Sequence, residues 1–308
     1  MKILGLIASY RKLGNTEVLV KEAALAASAG AEIELLRLTD LKIEPCKGCM
    51  ACVFKPESKC LIDDDMEEFL EKMRLADGLI LGAPTYVLAP PGILKLLLDR
   101  FLMLYGRYDD FRGKKAVAIG VAGLPGWAPF TVPFLNYFLL AFGYDTVGSM
   151  MAFSPGPGEV LLDEKSVREA SSLGAKLLAA MQSRPVEKKA GPNICPVCGA
   201  EFFAIRGNRA ECPICNVGGC LVPEGDGFSI VFDPQSLQHH RWTAEGMKRH
   251  FTDWILQTGK RYMELRPEIE ARKAKYRRLR YDQGVQAVHT GPNRFLGHHG
   301  PDRRGGQG

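Results

Sequence analysis

Histidine is missing from the first 238 residues; all six lie beyond them. Without an imidazole there is no Ser–His or Cys–His pair in that stretch, so hydrolysis by an activated nucleophile is disfavoured there. The first polar loop carries neither GxGxxG nor GxxxxGK[ST], which disfavours a dinucleotide fold and a nucleotide triphosphatase. No apolar run reaches about 18 residues, and no secretory leader pattern opens the chain. The expectation is a soluble, cytoplasmic protein with no membrane partner. In that setting the nine cysteines point to metal rather than to disulfides.

What is present suits a sizeable fold. The 308 residues are 46% hydrophobic, enough for a real core and for two units. The net charge of +5 is uneven: residues 241–308 hold 15 Lys and Arg against 7 Asp and Glu, a local +8, which leaves −3 elsewhere.

The stretch Ser9-Tyr10-Arg11-Lys12-Leu13-Gly14-Asn15-Thr16 organises the rest. Before it, Ile3 to Ala8 is an apolar run of strand length. After it, Glu17 to Ala29 suits a helix packed on a sheet. A strand, a short polar loop and a helix N-terminus form an anion site, because the first-turn N–H groups and the helix dipole favour negative charge. Ser9, Asn15 and Thr16 add side-chain donors, and Arg11 adds a fork suited to phosphate.

Further along, Glu32–Leu38, Gly78–Gly82, Ala116–Val121 and Thr146–Phe153 read as strands. Helices are predicted from Asp63 to Met73, about Pro91 to Phe101, about Phe130 to Phe142, and over 163–182. Apolar strands alternating with helices imply an α/β fold: a doubly wound, five-stranded parallel sheet covered on both faces. Ligands of such sheets bind beyond the carboxyl ends of the strands. The loops after the first, third and fourth strands fall there, including Pro84-Thr85-Tyr86 and Gly123.

Eight cysteines form two sets. Cys46, Cys49, Cys52 and Cys60 put four thiolates into fifteen residues. Three cysteines at intervals of three can bend round one cubane, with the fourth closing it; Gly48 assists the curvature. Reduced metal-free thiols and zinc are the alternatives. Cys195, Cys198, Cys212 and Cys215 form two CxxC knuckles suited to tetrahedral coordination. They predict a small ribbon over 194–234, with Phe202, Phe203 and Ile205 in one strand and Phe228, Ile230, Val231 and Phe232 in another. Zinc is favoured over rubredoxin-type iron, although S4 geometry suits both. Cys220 is left over and reads as a buried structural thiol.

Residues 183–193 read as a linker by composition. Residues 243–280 form a basic helical region in which Glu264, Glu268 and Glu270 pair with neighbouring cations. A solvated face is the favoured reading, and contact with nucleic acid the less favoured one. Residues 281–308 read as a disordered tail.

Three segments taken in order, SYRKLGNT after a strand, EPCKGCMACVFKPESKCLIDDDM, and LILGAPTYVLAPPGILKLLLDR, resemble the flavodoxin-like NAD(P)H-dependent FMN reductases. The closest branch is that of the iron–sulfur flavoproteins. The resemblance covers about 1–182 and implies one FMN-binding domain there. It implies FMN with its phosphate on Ser9, Arg11, Gly14, Asn15 and Thr16, and its ring along Pro84, Thr85 and Tyr86, with Gly123 in the third ligand loop. It implies a [4Fe–4S] cluster on Cys46, Cys49, Cys52 and Cys60. The extension adds Zn2+ or Fe on Cys195, Cys198, Cys212 and Cys215. The function implied is electron transfer between NAD(P)H or a ferredoxin-like donor, the cluster and FMN, in a homodimer or higher homo-oligomer. The alternatives are an NAD(P)H:FMN or quinone reductase without a cluster, and a redox-sensing binding module that uses ribbon and basic helix.

Overall fold

The computed structural model describes residues 1–54, 60–184 and 191–278. Met1–Thr258 form one compact unit, and a second begins at Gly259. The tail expected over 281–308, and residues 185–190 of the expected linker, lie outside the described residues.

The first layer follows the apolar pattern. β1 (Lys2–Ile7) leads to α1 (Asn15–Ala27) and β2 (Glu32–Arg37). Within the cysteine-bearing loop lies a short helix, α2 (Ala51–Phe54). There follow α3 (Met66–Leu75), β3 (Gly78–Pro84), α4 (Gly92–Asp99), β4 (Lys115–Ala122), α5 (Thr131–Ala141), β5 (Asp145–Phe153) and α6 (Glu164–Met181). The strand order is β2-β1-β3-β4-β5, and every pairing is parallel. The order reverses direction at β1 and β3, which is where ligands lodge in sheets of this flavodoxin-like order.

Alternation along each strand splits the core in two. Leu4, Leu6, Leu79 and Leu81 pack with Phe69, Leu97 and Phe138 on the face of α3, α4 and α5. Ile3, Ile7, Ile80 and Ile119 pack with Leu19, Val20, Leu173 and Leu177 on the face of α1 and α6. Helix α6 presses directly on α1. A Cβ at Gly174 would lie 1.9 Å from the Ala23 carbonyl oxygen, so only glycine permits that approach.

The second cysteine set builds a four-stranded antiparallel sheet: β6 (Ala204–Arg206), β7 (Arg209–Glu211), β8 (Gly218–Glu224) and β9 (Gly227–Phe232). The sequence suggested two strands. Phe202 and Phe203 do not join a strand but precede β6; Phe203 instead packs on Phe232 across the ribbon. Cys220 lies on β8 half-exposed, with Arg209 Nη1 at 3.7 Å, so it is not the buried thiol expected.

The ribbon packs on the first layer. Asn136 on α5 donates from Nδ2 to the Cys198 carbonyl at 2.8 Å, and Phe130 meets Phe202 edge to face at 5.9 Å. Beyond the ribbon come α7 (Pro234–Gln238) and α8 (Ala244–Arg249), then a π-helical turn His250–Ile255 that runs into α9 (Leu256–Lys273). The π turn turns Phe251 and Ile255 inward. With Met247 they bury Val53 of α2, and Phe251 also meets Phe101 and Tyr105. A segment some 200 residues away in sequence therefore roofs the first cysteine loop.

Candidate functional site

The loops after β1, β3 and β4 meet at the strand-order reversal. In the first loop Tyr10, Arg11 and Lys12 are exposed, Ser9 and Thr16 are buried, and Leu13 holds a positive φ of 51°. Gly14 stands at the N-cap of α1 without a side chain to cap it. Glu17 takes over: its Oε2 accepts from the Leu13 N–H at 2.7 Å and from Arg37 Nη2 at 2.7 Å. Arg37 also donates from Nη1 to the Ser9 carbonyl at 3.0 Å. Burial opposes the Glu17 charge, but bonds from Lys21, Arg37 and the Leu13 N–H outweigh it and hold the carboxyl down at about 2. The N–H groups of Asn15, Thr16 and Glu17 head the helix and have no intrahelical acceptor. The sequence reasoning passed over Glu17 and Arg37. The signal for Glu17 was its place three residues after the N-cap, the spacing of a capping box; nothing local marked Arg37.

Asn15 is placed at the loop but its side chain is spent elsewhere. Nδ2 donates to the carbonyls of Ser154 and Gly156, both at 2.8 Å, and Oδ1 accepts from the Val160 N–H at 3.2 Å. It ties α1 to the segment after β5, so only its backbone N–H is left to face an anion.

In the second loop the Thr85 N–H donates to the Val121 carbonyl, and Thr85 Oγ1 shares a hydrogen bond with Thr131 Oγ1, both at 2.7 Å. The Tyr86 N–H donates to the Ala89 carbonyl at 2.7 Å, closing a turn through Val87 and Leu88 at φ values of 47° and 73°. A positive φ at a β-branched residue costs about 1–3 kcal/mol and gathers at functional sites. The Phe130 N–H donates to the Leu88 carbonyl at 3.1 Å and joins this turn to the third loop. Gly123 lies in that third loop with ordinary space around it. Tyr86, Leu124, Trp127 and Phe130 are exposed along the same edge.

The first cysteine loop has a different character. Gly48 and Met50 both take positive φ, 61° and 59°, and curl the chain. Cys46, Cys49, Cys52 and Cys60 all line one small cavity, with Ile62, Arg100, Leu102 and Met103 among its other walls. Burial, then the neighbouring Cys60, Cys46 and Cys49, push the Cys52 thiol up. Thiolates clustered without a counter-charge are therefore unfavourable here, and a bound cation or cluster removes that cost. Beneath the cavity the Arg100 and Asp64 side chains, each 1% exposed, are paired. Four thiols around one cavity, with a buried guanidinium in its wall, suit an iron–sulfur cluster of net negative charge.

The second cysteine set needs no rearrangement to take an ion. Its four Sγ atoms lie within 4.8 Å of one another, all buried. The two knuckles repeat the same backbone. The Gly199 N–H donates to the Cys195 carbonyl and the Asn216 N–H to the Cys212 carbonyl, each at 2.8 Å. Gly199 and Asn216 take matching φ values of 70° and 61°. Four sulfurs in that space suit one tetrahedral ion.

The profile described as NADPH-dependent FMN reductase matches residues 1–127. An iron–sulfur flavoprotein of Methanocaldococcus jannaschii is 37% identical over 188 residues, 58% of this chain and 95% of that protein. The chain belongs to the iron–sulfur flavoprotein family. It is an FMN-dependent oxidoreductase of the flavodoxin-like fold. An iron–sulfur flavoprotein of Archaeoglobus fulgidus is 33% identical over 60% of this chain and 82% of its own length. Similarity to other proteins also runs past the residues those relatives match. A flavone synthase of Aspergillus candidus is 28% identical over 82% of this chain and 88% of its own. A solved flavone reductase covers 93% of this chain and 100% of its own with a TM-score of 0.75 at 23% identity. Ribbon and roof therefore belong to a shared architecture.

The basic region places Lys260, Arg261, Arg266 and Arg272 on α9, exposed. Arg272 pairs with Glu268, and Lys273 and Arg277 with Glu270, as expected for those two glutamates of the exposed face. Among the described residues no helix is long and apolar enough to cross a membrane.

Proposed function

We propose that this iron–sulfur flavoprotein takes electrons from NAD(P)H or a ferredoxin-like donor and passes them between FMN and a [4Fe–4S] cluster. Two observations support the reading: a helix-headed loop and two further loops share one edge at the strand-order reversal, and four thiols line one cavity. When bound, FMN supplies hydride and single-electron chemistry, and the cluster single-electron chemistry.

The chain's own residues bind and orient. Arg11 and the N–H groups of Asn15 and Thr16 hold the phosphate, with Ser9, Gly14 and Thr16 lining the loop. Glu17 and Arg37 keep that loop in shape from behind. Pro84, Thr85 and Tyr86 lie along the ring, and the strained Val87–Leu88 turn fixes their backbone. Gly123 completes the third loop. Cys46, Cys49, Cys52 and Cys60 hold the cluster, while Phe251 and Ile255 exclude water from the helix that carries Cys52. Cys195, Cys198, Cys212 and Cys215 hold Zn2+, or Fe, as a structural knot.

The exposed apolar residues at the carboxyl edge, Leu13, Leu124, Trp127 and Leu162 among them, support a homodimer closing over the flavin. They also favour a planar aromatic acceptor, in keeping with the names of the two long relatives. Anaerobic addition of NADPH or NADH to FMN-loaded protein tests the reading. Bleaching of the flavin bands within seconds is expected, followed by reoxidation on adding a flavone. Flavin that stays oxidised with both nucleotides and with reduced ferredoxin refutes it.

A further inference from the structure

Arg100 lines the cavity assigned above to the cluster, and its role rests on that reading. A buried guanidinium is costly unless its donors are met. Four of the five N–H groups of a guanidinium sit on its two Nη atoms, and both Nη atoms are used. Nη1 donates to Asp64 Oδ2 at 2.6 Å and to the Glu44 carbonyl at 3.1 Å. Nη2 donates to Asp64 Oδ1 at 3.1 Å and reaches Met103 Sδ at 3.6 Å. Asp64 is fully engaged as well, accepting from the N–H groups of Glu44 at 2.8 Å and Met66 at 3.3 Å. The remaining donor, Nε, is buried and finds no hydrogen-bond partner among the described residues.

That donor belongs to a side chain in the wall of the four-cysteine cavity, which Cys60 also lines. A neutral thiol is a weak acceptor, whereas a thiolate or sulfide accepts strongly from a charged donor. The arrangement leaves a buried cationic N–H unmet in the wall of a cavity whose sulfurs become thiolate ligands when iron binds. We propose that Arg100 donates its Nε–H to the Cys60 thiolate of the bound cluster and raises the cluster's reduction potential. Its positive charge and its hydrogen bond both favour the state with one more electron, since hydrogen bonds to the sulfurs and local charge set such potentials. Asp64 is the positioning residue: it holds both Nη atoms and leaves Nε as the donor still to be met. Nothing in the sequence marks this pair, because Arg100 ends the α4 segment and Asp64 sits in an acidic run that reads as helix N-terminal charge.

The test pairs two variants of the full chain. In Arg100→Met/Asp64→Leu the two charges leave together, so neither stays buried alone; Arg100→Lys keeps the charge and loses the donor at the Nε position. Iron and acid-labile sulfide are counted per chain, FMN retention reports the fold, and the cluster is titrated with dithionite, which supplies the single electron taken up. With FMN retained, the double variant is expected to show at least a tenfold lower ratio of reduced to oxidised cluster at a fixed poise, about 59 mV for one electron, or to lose its iron. Arg100→Lys is expected to shift the same way by less. Should either folded variant match the parent in both iron content and potential, the role given to Arg100 fails while the cluster reading stands. A parent chain that carries FMN but no iron overturns both.

Discussion

Asn136 reaches from α5 to the Cys198 carbonyl at 2.8 Å, so a single side chain joins the flavodoxin-like layer to a metal knuckle. The same helix begins just past Phe130, which bonds to the Val87–Leu88 turn through its N–H and packs on Phe202 of the ribbon. The ribbon is thus built into the wall of the ligand edge.

Removing the ribbon's metal is therefore expected to disturb the flavin site. Small metal domains draw much of their folding energy from the ion. Cys212→Ser should lose one equivalent of zinc or iron relative to the parent in elemental analysis and weaken FMN retention several-fold. Asn136→Ala should keep the metal and cost about 1–3 kcal/mol in urea unfolding, the usual cost of leaving a buried partner unmet. Full flavin affinity in a metal-free ribbon would contradict this coupling.

Glu17 makes a pH prediction. Its folded carboxyl titrates at about 2 against 4.5 unfolded. A depressed carboxyl adds stability that is complete above the unfolded value and is lost as pH falls through the folded one. The parent should lose stability between about pH 5 and pH 2, by roughly 2–3 kcal/mol from this group. Glu17→Gln should be less stable at neutral pH and flatter across that window in denaturant midpoints. Parallel curves for the two proteins would remove Glu17 from the account.

Arg11 is exposed and, on this account, serves phosphate alone. Arg11→Ala should leave the melting temperature of the flavin-free protein unchanged while weakening FMN binding about tenfold, the loss of one charge-assisted contact. Unchanged affinity in a fluorescence titration would exclude it from the site.

Phe251 roofs the helix that carries Cys52. Phe251→Ala should destabilise by about 3–5 kcal/mol if the cavity does not collapse, and should open the loop. Alkylation of Cys52 in the iron-free protein should accelerate many-fold, while Cys46, already exposed, should react as before. Equal rates at Cys52 in parent and variant would mean the roof does not guard it.

The sequence carried the first layer well. Parallel strands buried on both faces read as apolar runs, and β3, β4 and β5 lie within two residues of the segments expected. The second cysteine set was legible because metal spacing is local, and its four sulfurs converge. What failed to show was long-range. Nothing near Phe251 announces a partner at Val53, since a burial made by residues 200 positions apart leaves only a short apolar cluster on each side. Val87 and Leu88 look like strand or helix formers, and only the closed turn reveals their positive φ. Asn15 looked like a phosphate ligand by position, but the carbonyls of Ser154 and Gly156 claim its side chain. The loop after β5 had no sequence signal tying it to α1.

The central claim is most directly tested by measuring what one anaerobically purified chain carries. Extracted flavin, iron and acid-labile sulfide are counted against protein, with the absorbance spectrum of the same sample. The account predicts one FMN and about four iron and four sulfide at the Cys46–Cys60 loop, with flavin bands on a broad iron–sulfur shoulder. A folded chain that refuses added FMN, or that holds FMN with neither iron nor sulfide after reconstitution, contradicts it.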